Sequence, residues 1–100
     1  MKVYISGPIS SDPDHAEKFA AAYVDLVNKG HKPINPVDTG RELKEKMGRE
    51  PTWEDYMRAC IKALMDCDAI CMLPDWSDSR GACFEFDLAT KLNFQHIDLV

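Results

Sequence analysis

Ala69-Ile70-Cys71-Met72-Leu73 is an unbroken apolar run set between Asp68 and Pro74. A strand exposed on one face alternates apolar and polar residues; this run does not, so it is expected to be buried on both faces, as in parallel sheets covered by helices on each side. Immediately upstream, Thr52 to about Asp66 reads as a helix. Thr52 can cap it with Asp55 as the capping-box partner, and Met57, Cys60, Ile61 and Leu64 form its apolar stripe. Before that, residues 37–52 contain a mixed-charge run, Arg41 to Lys46, among Gly40, Gly48 and Pro51. This stretch is expected to be a mobile crossover with one or two exposed helical turns. Residues 31–36 read as a short strand bounded by prolines, and residues 11–29 as a helix that ends at Gly30. Ser11 or Asp12 caps that helix, Pro13 suits its first turn, and Ala16, Phe19, Ala20, Tyr23, Val24 and Val27 mark its apolar face. Residues 2–7 form the first strand. Downstream, residues 74–80 are a loop, 81–93 a helix and 97–100 a last strand. Strands alternating with helices predict one three-layer α/β domain over residues 1–100, with a parallel sheet.

The chain has 100 residues, 45% of them hydrophobic and 29% charged, values that argue against disorder, collagen and coiled coil. Its net charge of −5 and the lack of a basic stripe argue against a nucleic-acid polymer as partner. A single small nucleotide remains compatible, because a few backbone amides can hold one phosphate. No apolar run approaches the roughly 20 residues of a bilayer span, and residues 1–10 lack the apolar core of a secretory leader, so a cytoplasmic protein without a membrane partner is expected. Cys60, Cys67, Cys71 and Cys83 form no Cys-x-x-Cys and pair with no His at ligand spacing. They are expected to be reduced thiols, mostly buried, with no metal and no cofactor.

In open parallel sheets, ligands sit beyond the carboxyl ends of the strands. That rule selects Ser6 to Ser10 (with Gly7 and Ile9), Asn35-Pro36, and Asp75 to Gly81. The first loop is neither a dinucleotide fingerprint nor a Walker loop. In the third, Ser79, Arg80 and Gly81 open a helix whose free amides could take an anion, while Asp78 or Ser79 could equally be a plain cap. Glu85 shares one helix side with Ala82, Phe86 and Ala89, which puts a carboxylate on an apolar stripe. Burying it is costly unless it is paired or used. An ionised, desolvated carboxylate there suits attack on an anomeric carbon; the alternative is a partly exposed Glu at the helix edge. Tyr4, on the first strand, could donate to it, or could be an ordinary core tyrosine. Of the tryptophans, Trp76 is the expected ligand contact and Trp53 a packing residue.

Tyr4-Ile-Ser-Gly-Pro-Ile, Cys67-Asp-Ala-Ile70 and Ser79-Arg-Gly-Ala-Cys-Phe-Glu85, in that order, resemble the nucleoside 2-deoxyribosyltransferase-like superfamily, most closely its short members common in phages and prophages. The likeness runs over residues 2–98. It implies a flavodoxin-like sheet of four to five strands, a homo-oligomer, and cleavage of the N-glycosidic bond of a 2′-deoxynucleoside or its 5′-monophosphate. If the chain is phage-encoded, it would act in the cytoplasm of the bacterial host. Glu85 would be the nucleophile, Tyr4 would orient it, and Gly7, Ser79 and Gly81 would line the sugar or phosphate end. Ile9, Asn35, Trp76, Arg80 and Cys60 complete the expected substrate contacts. Three departures stand out. Cys60 falls where the family carries an aspartate that handles the leaving base, and a thiol is a poor substitute acid. Pro8 and Ser10 replace a Ser and an Arg of phosphate-selective members. The sequence stops at Val100, before residues that complete a neighbour's site in longer members. Two readings run nearly level: an N-glycosidase or deoxyribosyl transferase, slightly ahead, and a nucleotide-binding sponge on the same scaffold. An interaction module without ligand trails them.

Overall fold

The computed structural model describes residues 1–99. Its elements are β1 (Lys2–Ser6), α1 (His15–Asn28), β2 (Lys32–Ile34), α2 (Pro36–Met47), α3 (Trp53–Met65), β3 (Ala69–Met72), a 3-10 turn at Trp76–Asp78, α4 (Arg80–Lys91) and β4 (Gln95–His96). The four strands form one parallel sheet in the order β2-β1-β3-β4, with Tyr4 opposite Ile34 on one side and Ile70 on the other. The chain leaves β1 to one side and returns to the other, so the strand order reverses between β1 and β3. This is the flavodoxin-like arrangement, and it opens a crevice at the carboxyl ends of those two strands.

Side-chain alternation along β1 divides the core into two halves. Val3 and Ile5 pack with Phe19, Ala22 and Leu26 of α1, together with Ala69 and Cys71. Tyr4 lies on the other face with Cys60 and Leu64 of α3, Ile70, and Ala89 of α4.

Several elements begin and end for local reasons. Thr52 Oγ1 accepts from Asp55 N–H at 3.1 Å and Asp55 Oδ2 accepts from Thr52 N–H at 2.9 Å, the reciprocal cap expected from the sequence. Gly30 has φ +86° and ends α1, with Gly30 N–H on Val27 O and His31 N–H on Leu26 O.

Four expectations need correction. Residues 36–47 form a full helix rather than a mobile crossover: Asn35 caps it, Pro36 sits in its first turn, and Gly48, with φ 67°, closes it. Helix α1 starts at His15, because residues 11–14 are spent on turns, where Asp12 Oδ1 accepts from Asp14 N–H at 2.8 Å. Its buried face is Phe19, Ala22 and Leu26, leaving Ala16, Ala20, Tyr23, Val24 and Val27 exposed. The last strand is Gln95–His96, earlier than expected. Asn93, at φ 59°, turns the chain early, and Ile97 and Leu99 pack on the α1-side core instead. Val100 lies outside the described residues.

Candidate functional site

Glu85 sits on the inner stripe of α4 with Ala82 and Ala89, and it is 5% exposed. Two hydroxyls from β1 hold it. Tyr4 Oη donates to Oε2 at 2.6 Å, and Ser6 Oγ donates to Oε1 at 2.6 Å. Tyr4 and Ser6 are two residues apart on one strand, so both face α4. Bonds this short to a carboxylate are the strong, charge-assisted kind. Burial pushes the Glu85 carboxyl above its ordinary range, while the Ser6 and Tyr4 hydroxyls pull it back down. Burial, followed by the neighbouring charge of Glu85, pushes the Tyr4 phenol well above its ordinary value, so it stays a donor at every biological pH.

This carboxylate lines a cavity of about 440 Å³ at the carboxyl ends of β1 and β2. The volume is within the usual range for small-molecule sites. Tyr4, Gly7, Ile9, Cys60, Ser79, Gly81 and Glu85 all lie in its lining. Ser79 also caps α4, its Oγ accepting from Ala82 N–H at 3.2 Å. The glycines have packing reasons as well. A Cβ on Gly7 would stand 2.7 Å from Leu73 Cδ1, and one on Gly81 3.0 Å from Met57 Sδ. Burial pushes the Cys60 thiol up to about 11, so it is neutral and a weak proton donor at pH 7.

A groove of about 550 Å³ on the α1 side runs past Ala22, Leu73, Pro74 and Leu99. Lys18, at its edge, is tied to Asp12 at 2.6 Å and Asp75 at 3.1 Å. It has no counterpart to the buried, hydroxyl-held carboxylate of the other face.

Residues 1–98 match the family described as a domain of unknown function, DUF4406. The chain belongs to the DUF4406 family. No curated protein and no solved structure matches it.

Three expected contacts of this DUF4406 domain lie outside the cavity lining. Asn35 is occupied as the α2 cap, its Oδ1 accepting from Val37 N–H at 3.0 Å. Trp76 is carried away by the 3-10 turn and stacks on Phe86, with ring centroids 4.4 Å apart and planes at 20°. Arg80 places its guanidinium 3.8 Å over the ring of Trp53. Trp53, read as packing, is itself in the lining, along with His15, Arg41, Lys44, Glu50 and Tyr56. His15 Nδ1 lies 2.9 Å from Asp12 O; a carbonyl only accepts, so Nδ1 carries the hydrogen. Ser6 was selected as part of the first loop, but its bond to Glu85 was not foreseen, although it shares a strand face with Tyr4. Arg41, Lys44 and Glu50 became invisible once residues 37–52 were read as a loop, whereas Trp53 and Tyr56 lie on a helix that was expected, and only its docking turns them to the cavity.

Proposed function

We propose that this protein cleaves the N-glycosidic bond of a 2′-deoxynucleoside or its 5′-monophosphate, with Glu85 as nucleophile. One observation carries the reading: a desolvated carboxylate, both of its oxygens held by hydroxyls at 2.6 Å, on the wall of a nucleotide-sized cavity. The sequence resemblance supplies the substrate class.

One Glu85 oxygen attacks C1′ of the sugar. The C1′–N bond breaks, its electron pair leaves with the base, and the base takes a proton from solvent. The transition state resembles an oxocarbenium ion, whose positive charge the adjacent carboxylate stabilises. Water then attacks C1′ of the glycosyl ester and gives up a proton to solvent; the C1′–O bond to Glu85 breaks with its electron pair returning to the carboxylate, and deoxyribose or its 5-phosphate is released. Tyr4 and Ser6 act as positioning residues for Glu85.

The test is incubation with each deoxynucleoside and each 5′-monophosphate, followed by chromatography for free base. Release that disappears in Glu85→Ala is the expected result. Release that survives this substitution overturns the reading.

A second reading, a non-catalytic nucleotide sponge, is favoured by Cys60. Its thiol, pushed up to about 11, is a poor acid for a leaving base, and the loss of general acid catalysis costs ~10²–10⁴ in rate. Binding without base release, together with release gained in Cys60→Asp, would select this alternative. The reading also includes self-association through the exposed apolar stripe of α1.

A further inference from the structure

A helix on a sheet turns one face into the core. Helix α1 buries Phe19, Ala22 and Leu26, α3 buries Cys60 and Leu64, and α4 buries Ala82, Glu85 and Ala89. Helix α2 does not follow them. Val37, Gly40, Arg41 and Lys44 share one of its faces by spacing, and all four line the cavity. The face that another helix would pack thus lies over a hollow. Among the described residues, no α2 side chain belongs to either buried core, and only Val37 packs against one. The other ties are slight. Where α2 meets Tyr56 it offers Gly40, which has no side chain to interlock. Its later turns are joined to the following loop by Lys44 Nζ and Glu50 Oε2 at 3.0 Å, an exposed pair of the kind that contributes little. Once undocked, a helix of 12 residues with a glycine inside does not persist in water. Elements with so little buried apolar contact open well before the molecule unfolds.

The carboxylate beside this helix is closed in. Glu85 is 5% exposed, and Tyr4 and Ser6 have no exposed surface. A reacting atom must come within about 3–3.5 Å of an oxygen that solvent barely reaches. The wall that opens at least cost is the way in. We propose that α2 is a lid, which undocks from α3 and frays to open the route to Glu85. The inference holds for any occupant of the cavity, so it stands or falls separately from the glycosidase reading.

Two measurements on the full chain test the lid. In native-state hydrogen exchange, amides of residues 41–47 are expected to exchange at least ~10-fold faster than those of residues 57–65. In labelling with N-ethylmaleimide, read by peptide mass spectrometry, Cys60 on the cavity wall is compared with Cys71 in the α1-side core. Burial pushes both thiols up to about 11, so their thiolate fractions match and the ratio of rates reports access. Cys60 is expected to react at least ~10-fold faster. Glu45→Gly separates a moving lid from a fixed opening, because Glu45 is exposed on α2 and outside the cavity lining. Glycine there weakens the helix alone, so Cys60 labelling should rise about fivefold with Cys71 unchanged. Exchange of α2 and α3 at one rate, or equal labelling of Cys60 and Cys71, would mean that only global unfolding opens the cavity and overturns the lid. A Cys60 rate that Glu45→Gly leaves unchanged would mean a permanent opening or another entrance, and overturns it as well. Should Glu45→Gly also speed Cys71, the fold as a whole has loosened, and the two wild-type comparisons decide.

Discussion

At the scale of single residues, the tension lies between the burial of Glu85 and its charge. Two hydroxyls offset part of the desolvation, but its carboxyl still titrates higher in the folded protein than in the unfolded chain. Below about pH 4 both forms are neutral and the group is without cost. As pH rises through the folded value, ionisation favours the unfolded chain and stability is lost. Glu85→Gln is therefore expected to be inactive yet more stable than wild type at pH 7, by about 0.5–2 kcal/mol. The gain should fade in melts near pH 3–4, and a less stable variant at pH 7 would contradict the account. Ser6→Ala removes a hydrogen bond that lowers this carboxyl. Its acid limb of kcat should move to higher pH, with kcat falling up to ~10²-fold and KM little changed, in steady-state profiles against pH. The Glu85–Tyr4 pairing was legible because helical spacing and strand direction bring the two together without knowledge of distant packing. Trp53 and Trp76 were not, since which one faces the cavity depends on how α3 and the 3-10 turn dock.

At the scale of elements, α2 shows where local reading loses to tertiary contact. Gly40 is mid-helix, where glycine costs about 0.5–1 kcal/mol relative to alanine, and its presence argued for a loop. In the fold a Cβ there would stand 3.0 Å from Tyr56 Cε1, so the glycine lets α2 lie close against α3. The signals for a helix, Asn35-Pro36 before the run and Gly48 after it, were present in the sequence. The charged composition of Arg41 to Lys46 outweighed them, and with them went the cavity's α2 wall. A similar close approach joins the ends of β1 and β3. Gly7→Ala would bring a methyl within 3.0 Å of three Leu73 side-chain carbons. We expect about 1–3 kcal/mol of destabilisation by urea titration, an overpacking cost. An unchanged midpoint would mean that the strand ends move apart freely.

At the scale of the whole molecule, the parallel architecture was readable from apolar runs alternating with helical stripes, because that pattern depends on burial rather than on exact boundaries. The orientation of α1 was not: apolar residues lie on two of its sides, and only the sheet decides which is buried. Tyr23, Val24 and Val27 remain 39%, 57% and 47% exposed. If a second copy covers them, sedimentation will show a dimer or larger, and Val24→Asp will yield a folded monomer. A wild-type monomer at high concentration would remove that assignment. No helix among the described residues is long and apolar enough to cross a membrane. The alternation along β1 has a last consequence. Val3 and Ile5 serve the core on one side, while Tyr4 and Ser6 serve the carboxylate on the other. Inserting or deleting one residue between positions 2 and 6 would exchange the two sets, turning methyl groups onto Glu85 and hydroxyls into the oily side. Folding and chemistry thus share a single reading frame along five residues, and β1 cannot slip by one position without forfeiting both.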